Sequence, residues 1–344
     1  MKRHGNLFDK ICDMENLKLA FKKAKKNKGK RDDVKEVEAD LDNKLKELQE
    51  QLINGVYKTS PYRLKEIYEP KKRTIYVLPF YPDRIVHHAI MNVLEPIWDN
   101  LMYFHSYSCR DDKGQHKAGT LCMKYVKQYK YCLQCDIHKF YPSINHKILK
   151  RVLRKKIKDK RLLQLLDEIV DSVGGDTNVP IGNFLSQWYG NLYLNELDTR
   201  VKQAYHSPAY LRYCDDFLFF SNDKNELNYI RKSVEKWLRR ELQLSLSKAS
   251  LFYTTQGVDF LGYRYFPTKV LLRKRTAKKV KKRIATLIPE VESGTLSVDS
   301  AMSIVGSYFG WIKHAQTYNL RLRINMSTID TWLRSYRKQL GELK

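Results

Sequence analysis

The chain has no apolar run long enough to span a bilayer. Its opening residues, Met1-Lys2-Arg3-His4-Gly5, lead into a mixed charged segment and not into the apolar core of a secretory signal. Both features point away from a membrane. Cysteine is sparse: six thiols in 344 residues, at positions 12, 109, 122, 132, 135 and 214, do not make a disulfide framework. Cys132 and Cys135 form a lone C-x-x-C with no second pair or His at zinc-ligand spacing. In a strand-like run they face opposite sides, so they read as core thiols in a reducing compartment. Internal repeats and low-complexity segments are missing too. Acid is outnumbered by base: 38 Asp and Glu against 64 Lys and Arg leave a net charge of +26. So large an excess points to a polyanion, nucleic acid ahead of an anionic membrane face.

What is present begins with helical periodicity over residues 10–55, where Leu41, Leu45, Leu48 and Leu52 recur until Asn54-Gly55 ends the run. Residues 62–80 read as extended, with Pro70-Lys71-Lys72-Arg73 between two strand-like runs as the tip of a β-hairpin. A cationic tip suits phosphate, or serves as an edge-strand solubility device. Residues 83–100 turn helical; His87 and His88 are neighbours, not i, i+4 partners, and read as packing residues. Further helices are expected around 117–128, at 146–171, from the stretch 179–187 to about 204, at roughly 224–241, and from about 270 onward; a short strand pair is expected around 244–253.

The centre of the chain is Leu211-Arg212-Tyr213-Cys214-Asp215-Asp216-Phe217-Leu218-Phe219-Phe220. Asp is a poor strand residue and a good turn residue, so this run reads as strand, tight turn, strand, with the acids at the tip. Such acids lie either in water or, buried side by side, on a divalent cation that relieves their repulsion. A second acid in a matching setting favours the cation: Asp136 ends the strand-like run Tyr131–Ile137, and Pro142 then suits a first helical turn. Asp136, Asp215 and Asp216 are the minimum set for two-metal phosphoryl transfer.

These residues resemble the palm of reverse transcriptases: Tyr213-Cys214-Asp215-Asp216, with Asp136 ahead of Phe140-Tyr141. The likeness covers nearly the whole chain. Lys72-Arg73 and Asp83-Arg84-Ile85-Val86 resemble fingers motifs, Ser247-Lys248 the motif whose Lys protonates pyrophosphate, and Phe260-Leu261-Gly262-Tyr263 the primer grip. The resemblance implies an α+β right-hand polymerase: fingers over 1–125, an antiparallel-sheet palm over 126–268 with part of 146–178 assignable to the fingers, and a basic helical thumb over 269–344. It implies metal ligands at Asp136, Ile137, Asp215 and Asp216 for two Mg²⁺ ions, with Mn²⁺ as substitute. Lys248 would be the general acid, and Lys72, Arg73, Tyr141, Ile181, Gly182 and Gln187 would meet the nucleotide. Tyr141 would lie under the incoming sugar and exclude a 2′-hydroxyl, or simply fill the core; Lys248 is alternatively a solvated lysine.

Where most of the family carries Pro-Gln-Gly, this chain has Pro180-Ile181-Gly182, followed by Ser186-Gln187. That variant is similar to the enzymes of diversity-generating retroelements, which copy a template RNA with errors at adenines and work with a pentameric accessory variability protein. Ile181 offers shape where Gln offers a hydrogen bond, a loss on the order of 1–2 kcal/mol of discrimination and about tenfold in accuracy. The alternative is a buried residue beside a helix start. Expected partners are template RNA, primer or cDNA and dNTPs, in a bacterial or phage-encoded cytoplasmic setting. Other readings stay open: a retron, phage-defence or group II intron enzyme, though intron enzymes usually continue past the thumb, or a non-catalytic basic RNA-binding scaffold.

Overall fold

The helical periodicity of the N-terminal region is divided into four pieces: Phe8–Cys12, Met14–Lys25, Asp32–Ala39 and Leu41–Ile53. Asp13 ends the first piece and starts the second, its carboxylate accepting the backbone N–H of Glu15 and Asn16 at 3.0 and 3.2 Å. The same device divides the expected 146–171 helix into His146–Arg154 and Lys160–Asp171. Asp159 caps Leu162 N–H at 3.2 Å and also receives Leu7 and Phe8 N–H at 2.7 and 3.0 Å, so one side chain serves two helix starts. The computed structural model that carries these observations describes residues 3–68, 72–205 and 209–342.

The chain forms two units, Met1–Gly114 with Gln134–Leu218 and Asn228–Ser250, and Gln115–Leu133 with Phe219–Leu227 and Leu251–Lys344. In the first, β1 (Arg63–Ile67) and β2 (Arg73–Val77) pair antiparallel with Lys65 opposite Ile75, as the expected hairpin. Pro70 and Lys71 of its tip lie outside the described residues. The helix Ile85–Asp99 follows, with nine buried side chains that make it a core element on most of its circumference. Strand β3 (Tyr131–Ile137) is covered on both faces, so even the polar Gln134 within it is buried. Strands β4 (Tyr210–Tyr213) and β5 (Asp216–Ser221) are joined by the two residues Cys214 and Asp215, and β6 (Leu246–Tyr253) completes a four-stranded sheet in the order β4-β5-β3-β6. The strand pair expected around 244–253 is therefore one strand, with no turn residues inside it to fold it back. Adjacent β3 and β5 carry Asp136 and Asp216.

The second unit contains the helix Gln115–Gln128 and a small antiparallel sheet of β7 (Val258–Phe260), β8 (Tyr263–Tyr265) and β9 (Val270–Leu272). The stretch after 270 thus begins as a strand, opposite Tyr265 and Tyr263, and becomes helical only at Lys274. The helices Lys274–Ala285, Leu287–Glu292, Val298–Ile312, Tyr318–Arg323 and Met326–Glu342 bury one shared apolar cluster that includes Val280, Ile284, Leu287, Val305, Ile312 and Leu333. Helices and antiparallel strands together make the expected α+β class.

Candidate active site

A two-residue connection between twisted strands favours positive φ, and Cys214 adopts it at 55°. A non-glycine residue there stores strain of order 1 kcal/mol. The result is that Asp215 occupies the turn while Asp216 becomes the first residue of β5, both half-buried. Asp136 approaches the end of β3, where Ser247 Oγ on β6 donates to its Oδ2 at 2.6 Å. Gln134, two residues earlier and so on the same face of β3, donates through Nε2 to Asp216 Oδ1 at 3.4 Å. Lys248 Nζ donates to Gln134 Oε1 at 2.8 Å, so this lysine is engaged and not merely solvated.

The charge of Asp136 acts on both acids of the turn. Burial pushes Asp216 up to about 7, and the charges of Asp136 and Asp215 push the same way, against Gln134 and Lys248. Asp215 is raised by burial and by Asp136, while its own backbone N–H and the Arg73 guanidinium oppose the rise. Crowded acids that resist ionisation are relieved by a hard cation, and oxygen donors without thiolate or imidazole fit Mg²⁺ or Mn²⁺. Among the described residues no three His, Cys, Asp or Glu side chains form a ready metal-holding cluster. Ile137 buries its side chain, leaving only its backbone carbonyl as a possible donor.

The expected nucleotide-binding residues sit around these acids unevenly. Arg73 opens β2 and its charge reaches Asp215. Lys72 is exposed and paired with Glu66 across the hairpin at 2.8 Å. The Tyr141 hydroxyl lies 3.6 Å from Cys214 Sγ, directly behind the turn. Its ring has room because residue 190 is glycine: a Cβ there would lie 3.2 Å from Tyr141 Cε1 and 3.0 Å from Phe140 Cε1. The Ile181 carbonyl accepts the Tyr76 N–H of β2 at 2.8 Å, and Gly182 follows with φ 125°. Gln187 is exposed on the helix Phe184–Arg200.

The expected primer grip belongs to the second unit. Leu261 and Gly262, with φ of 50° and 87°, make the tight turn between β7 and β8, and Tyr263 donates through its hydroxyl to the Trp311 carbonyl at 2.8 Å. Cys132 and Cys135 are buried thiols outside any disulfide, and His87 and His88 are buried. Two contributors escaped the sequence: Gln134, betrayed only by sharing a strand face with Asp136, and the left-handed Cys214, for which no composition signal exists.

The family model described as reverse transcriptase (RNA-dependent DNA polymerase) matches residues 63–265. The chain is similar to Protein YkfC of Escherichia coli (strain K12), 26% identical, with 74% of this chain and 77% of that protein covered. It is also similar to Group II intron-encoded protein LtrA of Lactococcus lactis subsp. cremoris, 22% identical, with 70% and 53% covered. The chain thus spans about half the length of the intron-encoded relative. A solved structure of apo telomerase from Candida Tropicalis, truncated from its C-terminal domain, superposes with a TM-score of 0.46 at 15% identity, over 62% of this chain and 56% of that one.

Proposed function

The chain belongs to the reverse transcriptase family of RNA-directed DNA polymerases, and from that premise we propose that it copies a template RNA into cDNA by two-metal nucleotidyl transfer, for diversification of a target gene. The observation that carries the mechanism is the electrostatic meeting of Asp136 with both Asp215 and Asp216. Two Mg²⁺ ions, or Mn²⁺ in their place, would lower the barrier to attack by a primer 3′-hydroxyl and neutralise the departing pyrophosphate. Asp136, Asp215 and Asp216 are the carboxylates to hold them, with the Ile137 carbonyl beside. Ser247 occupies one oxygen of Asp136 and so fixes its orientation. Arg73, whose charge reaches Asp215, would meet the triphosphate, and Lys248, which donates to Gln134 next to Asp216, would be the proton donor for the leaving group. In this reading fingers, palm and thumb are residues 1–125, 126–268 and 269–344, and Phe260–Tyr263 grips the primer.

Support for the diversifying role comes from Ile181. Its carbonyl is committed to Tyr76, and its side chain has no polar atom with which to test a base pair. A pentameric accessory protein and a cytoplasmic setting follow from the same reading; no helix among the described residues is long and apolar enough to cross a membrane. The similarity to an intron-encoded protein favours a second reading, an accurate group II intron-type enzyme. Primer extension on an RNA template with Mg²⁺ separates them. Extension is expected from the native chain and none above background from Asp215→Asn; equal products from both would refute the mechanism. Sequenced products are expected to carry substitutions opposite adenine, reduced about tenfold in Ile181→Gln. Accurate products would select the intron-type reading.

A further inference from the structure

Beneath the Asp215 turn lies a buried ionic network that the chemistry above does not use. Asp198 and Asn191 are seven residues apart on the helix Phe184–Arg200 and so share a face; Tyr210 and Arg212 are two apart on β4 and do likewise. Arg212 and Asp198 are both fully buried, at 0% exposure. The guanidinium has five N–H donors, and the structure accounts for all of them. Nε donates to Asp198 Oδ1 at 2.9 Å, and Nη2 to Asp198 Oδ2 at 2.6 Å and to Ser106 Oγ at 3.0 Å. Nη1 donates to Asn191 Oδ1 at 3.2 Å and to the backbone carbonyl of Cys214 at 3.0 Å. Tyr210 completes the set, donating to Asp198 Oδ1 at 2.7 Å. Backbone bonds of Arg212 to His105 and Tyr107, both 3.0 Å, tie the strand to the segment that carries Ser106.

Stability does not explain this arrangement. Removing two charges from water costs several kcal/mol per ion, and an apolar pair of similar volume commonly packs as well or better. What an apolar pair lacks is a rigid fork that reaches the Cys214 carbonyl, and Cys214 is the strained residue that turns the chain into Asp215. We propose that Arg212 is a positioning residue: held by Asp198, Asn191 and Ser106, it grips the Cys214 carbonyl and locks the left-handed turn that aims Asp215. The proposal rests on the reading of Asp215 as a metal-holding acid. Lysine is no substitute, because a point charge satisfies Asp198 but not three further acceptors in fixed directions.

The test uses the full chain with Arg212→Lys, and with the volume-matched pair Arg212→Met and Asp198→Leu, which removes both charges and keeps the core filled. The first readout is the rate of thiol alkylation at Cys214, followed by peptide mass spectrometry, against Cys132 and Cys135 as buried internal standards. The second is primer extension with Mg²⁺ titration. In both variants Cys214 is expected to label faster while Cys132 and Cys135 keep their native rates. The Mg²⁺ requirement should rise, and kcat should fall by roughly a hundredfold, with KM for the primer–template unchanged. Cys214 reactivity that stays native, or three thiols accelerating together, would overturn the proposal, since the network would then be inert or a plain core contact. If the native chain extends no primer, the polymerase reading fails by itself, and the thiol ratio still decides whether Arg212 holds the turn.

Discussion

At the scale of single residues, Tyr141 shows how the turn is backed. Its hydroxyl meets Cys214 and its ring fills the space that Gly190 leaves open, so the ring is fixed from two sides. In the polymerase reading proposed above this ring would lie under the incoming sugar and reject a 2′-hydroxyl by contact alone. Tyr141→Ala is therefore expected to raise ribonucleotide incorporation relative to deoxyribonucleotide by on the order of tenfold or more, read by single-nucleotide extension; unchanged selectivity would make the ring core packing only. His87 and His88 pose a different question, because Nε2 of each is buried without a partner. Burial first, and then neighbouring positive charge, holds His87 down to about 3 and His88 down to about 4. The unfolded chain therefore takes up protons below about pH 6.5 that the folded chain refuses. This contribution to stability is intact above that pH and is lost as the pH falls. His87→Leu should consequently melt higher than the native chain at pH 5.5 and close to it at pH 7.5. Parallel melting curves across that range would show that His87 does not drive the acid loss.

At the scale of elements, the β1–β2 hairpin and the segment before the helix Phe184–Arg200 act as one piece. Their link is the Tyr76 N–H to Ile181 carbonyl bond, and Gly182 is the residue that lets the backbones approach. A Cβ on Gly182 would lie 2.4 Å from the Tyr76 carbonyl oxygen, at a φ of 125° that other residues resist. Gly182→Ala is expected to cost about 1–3 kcal/mol in thermal or urea unfolding and to weaken dNTP use, because the strand it displaces carries Arg73. A stable variant with native KM for dNTP would mean that the hairpin moves independently of residue 182. Elements of this kind were legible in the sequence where the signal is local. The hairpin, the Asp215 turn, the strand ending at Asp136 and a helix starting within 179–187 announce themselves by turn residues or an apolar run. The breaks at Asp13 and Asp159 were not legible, because an Asp in a charged helical stretch looks the same whether it caps or is solvated. Strand β9 was hidden by basic helical sequence directly after it. Arg212 and Asp198 could not be paired in advance, since their meeting depends on how a helix lies against a strand fourteen positions later in the chain.

At the scale of the whole molecule, charge is the dominant quantity. A net charge of +26 is far more than solubility requires of a protein of this length, and in the proposed reading it would displace counterions from nucleic acid. The helix Lys274–Ala285 concentrates that charge: Val280 and Ile284 turn inward to the apolar cluster while Lys278, Lys281 and Lys282 are exposed. Because these three lysines add little to folding, their removal separates binding from stability. Each lysine that neutralises a duplex phosphate contributes about 0.9 to the slope of log affinity against log salt, so replacing three with Gln should flatten that slope by about 2.7 for an RNA–DNA duplex. Affinity should drop most at low salt and converge with the native value as salt rises, with the melting temperature unmoved. Fluorescence anisotropy across a salt series measures the slope directly. A slope equal to the native one would move the nucleic-acid surface off this helix and leave the remaining basic face, not the C-terminal helices, as the part that holds the duplex.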